Sequence, residues 1–198
     1  MSKTLLIGLV VAFFACGVLL KAEGNDDSSD HPQYSAKNEL MRPASYRDWV
    51  FLSTGFGMTY NPAAGGHDMF TNVFVPRWAY EQFLKSAKWP EKTMFVVEER
   101  GANSRASINH HGHYQTTDLM GMGVEVKDSS HFPEKWAYFS FDADTKSAAA
   151  NPKEGCFQCH DAHAAVEHTF VQFYPTLKPV AQKFGAYNSE REKVQTAK

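Results

Sequence analysis

Alternation between apolar and polar positions in the middle of the chain predicts β-strands. Residues 121–127 alternate strictly, with Met122, Val124 and Val126 on one face and Gly123 and Glu125 among the residues of the other. β-Branched and aromatic runs predict further strands at 69–75, 93–98 and 136–141. These strands are separated by turns rather than by long helices, which is typical of antiparallel pairing.

Helical spacing of apolar positions is confined to short segments. It predicts helices at 45–52, after the N-cap residue Ser45, and at 77–85, after Pro76. Residues 159–168 also show helical spacing, and the polar or glycine-rich stretches 55–66 and 101–114 are predicted connections. The expected fold class is α+β, a predominantly antiparallel β-sheet with flanking short helices and a C-terminal helix.

The N-terminus has the pattern of a targeting segment. Lys3 precedes an almost wholly apolar run from Leu5 to Leu20, which is short for a membrane-spanning helix and suits a secretory signal. An uncleaved anchor is the alternative, and export predicts a periplasmic protein. The predicted organisation is a signal peptide at 1–22, a flexible tether at 23–40, one domain at 41–184 and a disordered tail at 185–198.

Composition adds two constraints. The net charge of −2, with both signs mixed along the chain, gives no basic surface for nucleic acid. The 15 Phe, 8 Tyr and 4 Trp suit a sheet-rich core or a pocket around a large flat ligand.

The strongest chemical signal is a C-x-x-C-H motif made by Cys156, Cys159 and His160. Two thiols three residues apart can form thioethers to both vinyl groups of one porphyrin, and the adjacent imidazole then reaches the iron. The motif predicts one covalent haem c on the C-terminal helix, with His160 as the proximal iron ligand.

Other chemistries for the motif are a redox dithiol, a zinc site and a disulfide. The βαβ pattern that normally precedes a redox dithiol is absent. A zinc site would use Cys156, Cys159, His160 and His163, but the chain has no second cysteine pair, since Cys16 lies in the signal segment. A disulfide would leave His160 unexplained.

The other histidines carry weaker signals. His110, His111 and His113 cluster in a polar loop, where they are solvated or form a metal site. His163 and His168 follow the motif, where they are solvated or brace the haem.

Several segments together resemble the cytochrome P-460 and cytochrome c′-β family. These segments span about two thirds of the chain and follow one another in the expected order. They are YRDWV at 46–50, NVFVP at 72–76, VKD at 126–128 with Phe132, WAYF at 136–139, the cysteine motif, and FVQFYPTL at 170–177. The resemblance implies a mainly antiparallel sheet, a haem held by the C-terminal motif, and a homodimer.

The resemblance also divides the functional alternatives. Cytochromes P-460 oxidise hydroxylamine or nitric oxide and carry a lysine cross-linked to the porphyrin, often with a distal carboxylate; the c′-β members lack the cross-link and cap an open iron with apolar side chains. The position of the cross-linking lysine aligns with Val97, and Lys92 only precedes this strand. The position of the distal carboxylate aligns near Gly123, and Glu125 lies two residues further along the chain. Both departures favour c′-β-like binding of NO-like ligands over oxidation.

The residues expected around the distal side of the haem are apolar or small. The candidates are Phe56, Phe95, Val97, Met120, Met122 and Gly123. Met120 or Met122 bound to the iron would instead indicate a periplasmic electron carrier. The expected partners are a small diatomic or nitrogen-oxide ligand and a redox protein, with no nucleic acid.

Overall fold

A five-stranded antiparallel sheet dominates the computed structural model, which describes residues 30–58 and 68–193. Its strands follow chain order: β2 (Val50–Phe56), β3 (Met69–Val75), β4 (Met94–Asn103), β5 (Tyr114–Lys127) and β6 (Trp136–Phe141). β1 (Leu40–Met41) and β7 (Ser147–Ala148) form a separate two-stranded ladder. The predicted α+β class with a predominantly antiparallel sheet is confirmed.

Each face of the sheet has its own apolar core because side chains alternate along the strands. Met94, Val96 and Met122 pack on one face with Tyr46 and Trp49. We call this side the back face. The opposite side, the front face, carries Phe95 and Trp136 and packs against helical segments.

Three α-helices lie among the described residues, all short. α1 (Arg77–Ser86) follows Pro76, buries Ala79 and Phe83, and ends at Ala87 in the left-handed conformation. α2 (Cys156–His163) carries the cysteine motif, and α3 (Lys178–Lys183) begins next to Pro179, in the first turn, where the missing N–H of proline costs nothing.

The helix predicted at 45–52 is wrong. Only Tyr46–Asp48 form a 3₁₀ turn, and from Val50 onward the chain pairs with β3. The β-branched and aromatic residues from Val50 onward pair with β3. This pairing decides the conformation over a helical spacing that extends over less than three turns. β4 and β5 also run further than predicted and form a long hairpin whose polar end is exposed.

Residues 30–40 are packed against the domain rather than free, which shortens the predicted tether. Asp30 accepts a hydrogen bond from Trp49 Nε1 at 2.7 Å, and Leu40 is fully buried. The Tyr34 ring stacks on His131 at 3.9 Å, and its hydroxyl donates to Asp128 at 3.1 Å.

The predicted disordered tail is shortened in the same way. Asn188 donates its backbone N–H to the Ala165 carbonyl, and Ser189–Glu192 form a 3₁₀ turn. The signal segment 1–22 lies outside the described residues. No helix within 30–58 or 68–193 has the length and apolarity needed to cross a membrane.

We expect Tyr34→Ala to lower the free energy of unfolding by about 2 kcal/mol, because it removes the stacking on His131 and leaves the buried Asp128 without one hydrogen bond. Chemical denaturation measures this. The control is Lys37→Ala, an exposed residue of the same segment, with an effect under about 0.5 kcal/mol. Equal, small effects of the two variants would show that residues 30–40 are a free tether.

Candidate functional site

A cavity of about 750 Å³ lies between the front face of the sheet and the C-terminal part of the chain. This volume is within the roughly 300–1,000 Å³ range of cofactor pockets. Strands β2 to β6 form one wall, and the opposite wall comes from α2 and from the segment that follows it, including Phe170, Phe173 and Tyr174.

All three residues of the cysteine motif line this cavity. Cys156, Cys159 and His160 occupy positions i, i+3 and i+4 of α2, so one face of the helix presents both thiols and the imidazole together. Both cysteines are free thiols. Asn151 lies beside them, and its amide donates to Ser140 Oγ at 2.9 Å and contacts Cys156 Sγ at 3.5 Å.

Hydrogen bonding fixes the orientation of the His160 ring. Its Nδ1 lies 2.7 Å from the carbonyl oxygen of His168, which can only accept, so Nδ1 carries the proton. The Nε2 lone pair is left facing the cavity, 3.6 Å from Glu125 Oε1. Burial lowers the pKa of His160 to about 4, so the ring is neutral at ordinary pH, the form that binds a metal.

The neighbouring histidines take different places. His168 contributes its backbone carbonyl to His160, while its half-buried ring packs on Phe157 at 4.8 Å. His163 ends α2, and its backbone carbonyl accepts from Gln172. His110, His111 and His113 lie in the β4–β5 connection, and the described residues contain no group of three or more side chains able to hold a metal ion.

Glycines and small residues make the sheet side of the cavity shallow. Val97 of β4 pairs with Gly123 of β5, and a Cβ on Gly123 would touch the side chain of Val97 at 3.8 Å. A Cβ on Gly55 would come within 2.9 Å of Thr71 Oγ1. A flat group such as a porphyrin can therefore approach the β5 backbone closely at Gly123, whereas the side chains of Met58 and Thr71 take up the space beside Gly55.

The distal candidates divide between the two sides of the sheet. Val97 and Gly123 line the cavity. Phe95 points to the front face but is wholly buried in the core beside Trp89 and Trp136. Phe95 therefore does not line the cavity, because the core extends beneath this end of the sheet.

The other three candidates, Met122, Met120 and Phe56, lie away from the cavity. Met122 is buried in the back-face core, because it alternates with Gly123 along β5. Met120 is 54% exposed, and Phe56 is 39% exposed and packs on Phe70 and His113 outside the cavity.

Two methionines that the sequence analysis missed do line the cavity, Met58 and Met69. Met69 shares the period of two with Thr71 and Val73 along β3, so strand alternation could have identified it. Met58 follows the end of β2, where no periodic signal exists.

Two carboxyl groups, Glu99 and Glu125, also line the cavity, so the pocket is not purely apolar. Glu125 is 6% exposed, and its Oε2 has no hydrogen-bond partner within residues 30–58 and 68–193. Burial raises the pKa of this carboxyl to about 8. The described lining residues include no lysine or arginine.

A different carboxylate shows how this chain satisfies a buried charge. Glu98, on the back face, is 2% exposed and is bound by Tyr46 at 2.9 Å, by Arg47, and by two nitrogens of Arg100 at 2.7 and 2.9 Å. Oε2 of Glu125 has no such partner in the part of the chain that the structure describes. Because an unsatisfied buried carboxyl is costly, the contrast indicates that Glu125 serves the cavity rather than the fold.

Comparison with known proteins bears on this arrangement. A family model described as cytochrome P460 matches residues 43–171, about two thirds of the chain, which include all three motif residues. No curated protein matches the sequence.

We expect pH to affect the haem-free chain through Glu125. The folded pKa of about 8 exceeds the unfolded value of 4.5, so the folded state holds the proton more tightly and stability falls as pH rises through this range. Glu125→Gln should remove this loss, worth roughly 1 kcal/mol per pH unit. Urea titrations from pH 5 to about 8 on a Cys156→Ala/Cys159→Ala background measure this loss of stability. The control is Glu81→Gln, at an exposed position. Parallel pH profiles for the background protein and both glutamine variants would contradict the expectation.

Proposed function

This chain belongs to the cytochrome P460 family, and on that premise we propose that it is an exported c-type cytochrome with one covalent haem and an iron site open to NO-like ligands. The family implies a haem cofactor. The observation that carries the rest is that Cys156, Cys159 and the free Nε2 of His160 face the same cavity.

The residues present fit a haem c. The two thiols are free and lie one helical turn apart, as thioether bonds to two vinyl groups require. His160 is neutral, and its Nδ1 proton is held by the His168 carbonyl, which orients the ring and raises the basicity of Nε2. A bound haem would supply a redox-active iron, and the chain would supply Cys156 and Cys159 for its attachment, Nε2 of His160 for the iron, and the walls of the cavity.

The opposite wall favours an open iron site. Val73, Val97 and Gly123 have no atoms that can bind a metal, and no lysine lines the described cavity to cross-link the porphyrin. Lys92 is held by Asp128 and Ser130 instead, and Lys88 is exposed. At these three positions, therefore, no side chain competes with a small uncharged molecule such as nitric oxide for the iron.

Oxidation of hydroxylamine or nitric oxide is the second candidate, and Glu125 favours it. A buried, unpartnered carboxyl in the cavity provides a site to accept a proton from a ligand. The absence of a lysine in the described lining argues against it. For an electron carrier with a methionine ligand, Met58 and Met69 replace Met120 and Met122 as the candidates.

The cellular setting follows from the same proposal. Covalent haem attachment and the N-terminal apolar segment both suit the periplasm, with the segment acting as signal or anchor. A homodimer and a redox partner protein complete the proposal.

We expect haem to remain with the denatured polypeptide, because thioethers survive unfolding. Peroxidase staining after denaturing electrophoresis detects it, and Cys156→Ala/Cys159→Ala should abolish the stain.

His160→Ala should keep the stain but change the ligand-binding spectra grossly, whereas His163→Ala should change them little. Haem extractable from the unmodified protein, or matching spectra for both histidine variants, would overturn the assignment.

We expect the reduced protein to bind carbon monoxide in a single fast phase, because no side chain occupies the iron. Met58→Leu and Met69→Leu should change the rate less than about threefold, a free-energy difference of about 0.7 kcal/mol. Stopped-flow spectroscopy measures the rate. A large acceleration in either variant would identify a methionine ligand instead, and a lysine joined to the porphyrin in peptide maps would restore the oxidase alternative.

A further inference from the structure

We propose that this cavity selects uncharged ligands over small anions, and that Glu99 is the side chain that sets this selectivity. The inference rests on the proposed function in one respect, that a haem iron is bound within the cavity.

The first observation is the charge of the lining. Glu99 and Glu125 are acidic, and none of the described lining residues carries a lysine or arginine side chain. The Nδ1 proton of His160 is engaged by the His168 carbonyl, and Nε2 faces the cavity as a lone-pair acceptor. An anion that loses its hydration on entering this space therefore finds no described cation to replace it.

The second observation is the placement of Glu99. It lies on β4, opposite Thr71 of β3 and Gly121 of β5. A Cβ on Gly121 would lie 2.9 Å from Glu99 Oε2, so the carboxylate extends across β5, in the space that a side chain at Gly121 would fill. The Glu99 side chain forms no ion pair or hydrogen bond with the described residues, and only its backbone pairs within the sheet.

The arrangement of arginines strengthens this point. Arg100 adjoins Glu99 in sequence, yet alternation along β4 directs it away, and it binds Glu98 together with Arg47. The local cations thus neutralise the back-face carboxylate, and the front-face carboxylate next to it has no counterion among the described residues.

Glu125 provides the independent observation that this is a ligand site. It is 6% exposed and lines the cavity, and one of its oxygens has no partner among the described residues. In either protonation state it contributes no positive charge. An entering anion therefore meets the Glu99 carboxylate without compensation.

The size of the effect follows from Coulomb repulsion. A unit charge about 8 Å from an anion, at an effective dielectric constant of about 20, changes the binding constant by roughly tenfold to thirtyfold. A neutral ligand of similar size is not subject to this penalty.

The test uses the ferric holoprotein at low ionic strength, with azide as the anion and nitric oxide as the neutral ligand. Optical titration should give a Kd for azide at least about tenfold lower in Glu99→Gln than in the unmodified protein. The Kd for nitric oxide should change less than about threefold. Glu81→Gln, which removes the same charge from an exposed position on α1, should leave both values unchanged.

Equal azide affinities in the unmodified protein and Glu99→Gln would overturn the inference, as would the same gain in Glu81→Gln. If Glu99→Gln does not fold, Glu99→Thr gives the same comparison with a residue suited to a strand. A protein that binds carbon monoxide and nitric oxide but is indifferent to Glu99 would refute this inference alone. A protein that binds neither would refute the proposed function.

Discussion

The hydrogen bond from His160 Nδ1 to the His168 carbonyl determines which nitrogen of the ring faces the cavity. An imidazole has two nitrogens, and only one can face a cofactor. The backbone carbonyl engages Nδ1 and leaves Nε2 directed into the cavity, while Tyr138 and Phe170 pack on the ring at 4.4 Å each. The C-terminal segment is therefore part of the site, because its path places the His168 carbonyl beside α2.

Alternation along β4 and β5 separates the chemistry of the two faces. Glu98 points to the back and is neutralised by arginines, whereas Glu99 points to the front and is not. Gly121 and Gly123 occur on the front face of β5, where larger side chains would fill the space beside Glu99 and Val97. The register between β4 and β5 therefore determines both the shape of the cavity and the charge of its lining.

The sequence predicted those features that depend on short-range patterns. The alternation at 121–127, the strand at 136–141 and the helix after Pro76 are local signals, and the structure contains all three elements. The helix at 45–52 failed because pairing with β3, a long-range contact, decided the conformation. Met122 and Gly123 were both proposed for the pocket, although neighbours on a strand cannot share a face; which face borders the cavity depends on packing against α2, which no local pattern contains.

At Glu125, the requirements of folding stability differ from those of a ligand site. A chain that surrounds Glu98 with arginines and a tyrosine has the means to satisfy a buried carboxylate. At Glu125 it leaves one oxygen without a partner among the described residues and the other 3.6 Å from the nitrogen proposed to bind iron. An unsatisfied carboxyl at this depth costs folding free energy, and a glutamine or an apolar residue would lower that cost. The most direct physical explanation is an interaction within the cavity, so under the proposed function Glu125 serves the bound group and not the core.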